Sequence, residues 1–273
     1  FCMKGALFPL FTWMNRSYAA PPIAISIIFA ALLTKVGLYS IIRTYGLFYY
    51  ESNFIKSYIL ILGAVSIIVG CIGAIYQKDL KQIVIFNIVI SLGVMVCGTA
   101  TLNTFGVKGA LFYAVNDILL KAALFIVVGL IIYVSGVKSL QKCGLINKYP
   151  LLGWTYFIIV LSLAGIPPFS GFYGKALIIK GLVTNNNTFI AILVALSGLV
   201  IFYSLIRIFL NVFYDNINKS LILKPLPKGI QIPLIAIVAI ALIIGASTNL
   251  LDGFFDKGIQ MVLNPQHYID LVL

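Results

Sequence analysis

Leu163-Ala164-Gly165-Ile166-Pro167-Pro168-Phe169-Ser170-Gly171-Phe172-Tyr173-Gly174-Lys175 is the stretch on which the architecture turns. It separates two apolar runs, Leu151–Leu163 and Ala176–Val183, so 150–181 reads as one membrane crossing interrupted in its middle. Proline has no amide hydrogen and its ring clashes with the preceding turn. With Gly165 and Gly171 on either side of Pro167 and Pro168, the backbone is expected to open between Gly165 and Gly174. Open backbone at membrane depth persists only when buried in protein or facing a water-filled cavity. Transporters place such discontinuous helices at their binding sites. A simple kink is the alternative.

The rest of the chain supports a membrane reading. Of its 273 residues, 62% are hydrophobic and 10% charged, with a mean hydropathy of +1.10. The fold class is therefore an all-α polytopic membrane protein, forming one transmembrane domain over 1–273. Full spans are expected near 21–44, 55–76, 82–101, 106–134, 150–181, 188–214 and 230–251. The opening apolar run, Phe1 to Trp13, is too short to span about 30 Å of hydrocarbon and lacks the basic start of a signal peptide. It reads as part of a helix cut from a longer chain, which makes about eight helices with one partial.

The net charge of +12 does not form a patch, so no nucleic-acid role is expected. The basic residues lie singly in loops. Arg16, Lys78, Lys81, Lys138, Lys142, Lys148, Lys219, Lys224 and Lys228 fall on one side, against Asp79 and Asp215. Arg43, Lys56, Lys108, Lys180 and Lys257 fall on the other, against Glu51, Asp252, Asp256 and Asp270. The positive-inside rule makes the first side cytoplasmic, which places a multi-pass protein in the cell membrane with its C-terminus outside. Cys2, Cys71, Cys97 and Cys143 have no CxxC spacing and His267 is the only histidine. No metal site, disulfide, haem or other cofactor is expected. Gly174-Lys175 stands like the end of a P-loop, but Phe169 occupies the place of its first glycine, so ATP hydrolysis is not expected.

Against this background Lys4, Lys35, Lys121 and Lys175 lie inside or at the edge of apolar stretches. A charge at membrane depth costs from about 3 to more than 10 kcal/mol, and such residues face a bundle interior or a wet path. Lys35 falls near the centre of its span, whereas Arg43 at the end can snorkel. Asp117 and Lys121, four apart, share a helix face. They are expected to form a buried pair, either structural or a proton switch. Lys175 directly follows the break, where water could reach it.

These residues sit in runs that resemble the antiporter-like subunits shared by Mrp-type multisubunit sodium/proton antiporters, respiratory complex I and membrane-bound hydrogenases. The runs are Lys4-Gly5-Ala6-Leu7-Phe8-Pro9-Leu10 with Trp13, Pro21-Pro22, Leu33-Thr34-Lys35-Val36-Gly37-Leu38-Tyr39, Gln77-Lys78-Asp79-Leu80-Lys81, Lys121-Ala122-Ala123-Leu124-Phe125 and the whole of Leu163–Lys175. Ser17-Tyr18 ahead of Pro21-Pro22, Leu33-Thr34-Lys35-Val36-Gly37 and the ending Tyr268-Ile269-Asp270 look closest to the D-type branch of the Mrp subunits. The resemblance implies a fourteen-helix fold with two inverted five-helix repeats, each with a broken helix. This chain would supply the C-terminal half: 1–44 ending the first repeat, 55–214 the second, and 230–273 the last helix and tail. Lys4 would lie on a broken helix and, with Lys35, match the first half-channel. Lys121 and Lys175 would match the second. Where related subunits commonly carry histidine, this chain has Asn116 and Asp117, and tenth-helix polar positions are held by Ile85, Asn87 and Ile90. A relay there would need water or Asp117.

The function implied is an ion-translocating subunit of a Na+/H+ antiporter, not an enzyme. Its partners would be other membrane subunits, Na+ and H+, and the lipid bilayer. Two alternatives stand beside it: a proton-pumping subunit of an NADH-quinone oxidoreductase or hydrogenase, and a truncated copy that packs but conducts nothing.

Overall fold

The structure is a computed structural model that describes residues 1–49, 52–214, 223–227 and 229–246, together with Gly253, Ile259 and Val262. Its helices are α1 (Thr12–Ala19), α2 (Ile23–Phe48), α3 (Asn53–Tyr76), α4 (Leu80–Ala100), α5 (Thr104–Ser135), α6 (Pro150–Ala164), α7 (Ser170–Thr184), α8 (Thr188–Tyr214) and α9 (Gln231–Ala246). Among the described residues, five of these, α2, α3, α4, α5 and α8, are long and apolar enough to cross a membrane. The polytopic helical architecture expected from the sequence is thus present. Span ends match within a few residues, and the end of 230–251 lies outside the described residues.

The helix ends follow from their residues. The Asp79 carboxylate accepts from the amides of Lys81 and Gln82 at 2.9 and 3.2 Å and starts α4. Asn103 accepts from the Gly106 amide at 2.7 Å and starts α5, and Gly136 ends α5 in the left-handed conformation that glycine adopts readily. Pro150 opens α6 at a position where its missing amide hydrogen costs nothing.

α4 is the central pillar, buried on every side. α3 packs on it so closely that a Cβ on Gly93 would lie 2.8 Å from the Gly63 carbonyl oxygen. Small residues let membrane helices meet in this way. The outer helices turn apolar stripes away from the bundle. Ile61, Ile68, Ile72 and Ile75 on α3 are exposed, as are Phe189, Ile192, Leu196, Leu199 and Tyr203 on α8, at the spacing of a single helix face. These stripes fit lipid.

The expected break is real. α6 and α7 are separated by Gly165–Phe169, and each has 15 residues. At 1.5 Å per residue that is about 22 Å apiece, short of a full crossing. The opening segment departs from expectation. Residues 1–11 form turns, not a helix, and α1 begins only at Thr12. Pro9 withholds an amide and Ala6 takes a φ of 50°, so an unbroken helix through Phe1–Trp13 cannot form. α2 carries a second departure, a π-helical turn at Phe29–Leu33 just before Lys35.

Arg16, Lys81 and Lys138 gather at one end of the bundle, where the Lys148 ammonium also reaches the Leu223 carbonyl. The other end is tied by Asn103 to Gly181 and by Asn185 to Thr101, at 2.7 and 2.6 Å. Glu51, Asp215, Lys219, Lys228, Asp252, Asp256, Lys257, His267 and Asp270, with the C-terminal tail, lie outside the described residues.

Candidate functional site, a buried lysine row

α5 carries Tyr113, Asn116, Asp117 and Lys121 at positions i, i+3, i+4 and i+8, one stripe along a helix. All four are fully buried. α2 and α7 each bring a lysine to this stripe.

From α2, Lys35 approaches Asp117. Its Nζ stands 2.6 Å from the Asp117 Oδ2, with the carboxyl group completely buried. The same ammonium donates to the Ala30 carbonyl in the π turn at 3.3 Å. The Ser91 hydroxyl of α4 donates to Asp117 Oδ2 at 3.2 Å. Here the structure corrects the expected same-helix pair. Asp117 bonds Lys35 across the helix interface, and among the described residues Lys121 Nζ has no hydrogen-bond partner. A charge pair forms with whichever opposite group the packing brings within contact, and α2 delivers Lys35 to 2.6 Å.

From α7, Lys175 turns back to the break. Its Nζ donates to the carbonyls of Leu163 and Ala164 at 2.9 and 2.8 Å. In a continuous helix those two carbonyls would accept from the amides four residues on. Those residues are Pro167 and Pro168, which have none. The double proline therefore frees the two acceptors that hold the ammonium. Gly165, at a φ of 80°, makes the bend, and a Cβ there would press on the Lys175 side chain at 2.9 Å.

Along this stripe lies a polar seam. Ser170, the first residue of α7, donates to Asn116 Oδ1 at 2.5 Å and shares a 3.1 Å hydrogen bond with Ser162 of α6. Gly171 is needed beside them, because a Cβ would strike the Ser162 carbonyl. Among the described residues, several buried atoms along the stripe have no hydrogen-bond partner: Tyr113 OH, Asn116 Nδ2, Asp117 Oδ1 and Lys121 Nζ. Each such group costs about 1–3 kcal/mol when dry. A polar cluster of this kind is where bound water belongs. The charges are in electrostatic reach of one another, since Lys121 feels Asp117 and Lys35, and Lys175 feels Lys121 and Asp117.

Lys4 stands apart. Its side chain is exposed, although the backbone of Lys4 and Gly5 presses on Gly37, two residues along α2 from Lys35. Asn87 is bonded within the bundle, to Ser204 at 3.0 Å and to the Ile83 carbonyl at 2.8 Å. The sequence reading missed Ser91, Ser162, Ser170 and Tyr113. Hydroxyls inside otherwise apolar spans were the available signal. Among the described residues no group of histidine, cysteine and acidic residues could hold a metal ion.

Known proteins share this chain's sequence family and fold. The family model described as NADH:quinone oxidoreductase/Mrp antiporter, TM, matches residues 1–201. The chain is 40% identical over 280 residues to the D-type subunit of the Na(+)/H(+) antiporter of Bacillus subtilis (strain 168), covering all of this chain and 56% of that one. It is 36% identical over 276 residues to the protein of the same name from Alkalihalophilus pseudofirmus, again over 56% of its length. The chain thus spans about half the length of the curated relatives it matches. Its fold superposes on a chain of the Mrp complex from Dietzia sp. DQ12-45-1b with a TM-score of 0.93 at 22% identity, covering 98% of this chain and 59% of that one. It superposes on a chain of respiratory complex I from Thermus thermophilus with a TM-score of 0.76 at 23% identity, covering 91% and 55%. A family model that matches residues 1–201 of 273 means that the chain belongs to the NADH:quinone oxidoreductase/Mrp antiporter transmembrane family.

Proposed function

We propose that the chain is part of an ion-translocating subunit of a multisubunit Na+/H+ antiporter of the Mrp type. Protons would hop among Lys35, Asp117, Lys121 and Lys175 through transient water, with exposed Lys4 at the approach to Lys35. The observation that carries this reading is the buried row itself. Lys121 Nζ and Asp117 Oδ1 are unpartnered at membrane depth, a costly arrangement that a path for charge explains. The relatives named as Na(+)/H(+) antiporter subunits favour the Mrp branch.

In this reading 1–44 ends one inverted repeat, 55–214 forms the second and 230–273 supplies the last helix and tail. Partners are other membrane subunits, with Na+ and H+ as cargo in a lipid bilayer. The protein sits in the plasma membrane with its basic end cytoplasmic and its C-terminus outside. Lys121→Ala and Lys175→Ala, each tested in the full assembly in everted vesicles, should abolish Na+-dependent proton exchange. Unchanged exchange in both variants overturns the relay and favours a non-conducting copy.

A redox-driven proton pump is the second reading, supported by the likeness to the complex I chain. Co-purification with small antiporter subunits, as opposed to redox subunits, separates the two.

A further inference from the structure

The basic end of the bundle holds a cavity of about 840 Å³ that the lysine row does not use. Arg16, Lys81 and Lys138 line it, with Asp79 as the acidic member and Ile23 and Ile132 at its inner edge. One carboxylate, Asp79, offsets only part of the charge of three cations. Its Oδ1 is committed to the amides that open α4, and among the described residues none of the three cations forms an ion pair. Lys81 is fixed by the carbonyls of Ala19 and Pro21 at 2.9 and 3.2 Å. That leaves one of its three N–H donors for the cavity.

A second, apolar groove of about 360 Å³ shares Ile23 with the first. Ala24, Ile126, Leu130, Tyr133 and Ile230 line it. The Lys224 ammonium lies 5.9 Å from the Tyr133 ring, adding a fourth cation near the mouth. The two spaces lie at different depths. The basic cavity sits where α2 and α4 begin and α5 ends, the level of lipid headgroups. Ile126 is nine residues back from Ser135 on α5, about 13 Å deeper at 1.5 Å per residue. Positive charge at headgroup level above an apolar channel is complementary to one molecule, a phospholipid with a negative headgroup. A bare solvated patch would explain the charges but not the groove beneath them.

We propose that the cavity and groove bind one anionic phospholipid. Its phosphate lies among Arg16, Lys81 and Lys138, its glycerol beside Ile23 and Tyr133, and an acyl chain between α2 and α5 beside Pro227 and Ile230. The lipid would fill the space beside the Ala20–Pro22 connection.

The test is native mass spectrometry of the full chain, purified in mild detergent with whatever subunits accompany it. It is titrated with phosphatidylglycerol, phosphatidylcholine or inorganic phosphate. Phosphatidylglycerol should bind at least about tenfold more tightly than phosphatidylcholine. Arg16→Gln with Lys138→Gln should erase that preference, whereas Lys56→Gln with Lys180→Gln, at the other end, should keep it. Ala24→Trp, which fills the groove, should weaken the lipid several-fold. Equal binding of both lipids, equal loss in both double variants, or phosphate binding as tightly as phosphatidylglycerol overturns the proposal. Absence of any lipid because another segment or subunit covers the site does so too. None of these variants touches the lysine row, so the outcome is independent of the transport reading.

Discussion

Lys35 and Lys175 are both ammonium groups buried in a helix bundle, and the chain satisfies them by opposite means. Lys35 takes a counter-charge, Asp117, from a neighbouring helix. Lys175 takes two carbonyl oxygens from a backbone that Pro167 and Pro168 keep from pairing internally. A carboxylate neutralises but can itself accept or lose a proton. A carbonyl pair supplies only dipoles and cannot change charge. Lys121, one turn along α5 from Asp117, has neither among the described residues. The buried lysines therefore differ in kind: one in a charge pair, one held by fixed dipoles and one unsatisfied.

Three sets of substitutions put this contrast at risk, and the largest effect belongs to the charge pair. Asp117→Asn leaves the Lys35 ammonium buried without its counter-charge, and loss of one partner from a buried pair costs about 3–5 kcal/mol. The melting temperature in detergent should fall sharply. Asp117→Leu combined with Lys35→Met should recover most of the loss, since neither charge then remains unpaired. A double variant as unstable as the single one would mean that Asp117 acts through packing alone.

A smaller effect is expected at the break. Pro167→Ala with Pro168→Ala returns two amides that compete for the Leu163 and Ala164 carbonyls. Hydrogen bonds to a charged group contribute about 1.5–3 kcal/mol, so a destabilisation of about 2 kcal/mol is expected in chemical unfolding. Adding Lys175→Met to that variant should relieve it. Unchanged stability in the double-proline variant would show that the carbonyls hold Lys175 without help from the prolines.

The smallest effect has the opposite sign. Lys121→Met keeps length and apolar volume while removing an unpartnered ammonium, and it should stabilise the fold by about 1 kcal/mol. The same variant should lose exchange in the full assembly. A fall in stability would reveal a partner for Lys121, most simply bound water.

Much of this was legible in the residues. The apolar runs marked α2 to α8 because a bilayer admits few alternatives to helices of that length. Gly165, Pro167 and Pro168 marked the break because proline withholds a donor wherever it stands. The depth of Lys35, Lys121 and Lys175 followed from position within a span. What failed was partner choice. A spacing of four joined Asp117 to Lys121 on one helix, yet Asp117 faces Lys35 of α2. The opening segment failed too, because the apolar character of Phe1–Trp13 concealed turns at Gly5, Ala6 and Pro9.

Which runs are apolar enough to cross a membrane, where one of them opens and that Lys35, Lys121 and Lys175 fall within such runs could be read from the residues alone. These are local consequences of hydropathy, proline chemistry and helix rise, and each is set within one segment. Packing was needed to establish that Asp117 answers Lys35, that Lys175 reaches back to Leu163 and Ala164, and that Lys121 is left alone. Hydrogen bonds and ion pairs act over about 3 Å, and which groups come that close depends on how helices far apart in sequence pack against α4 and α5.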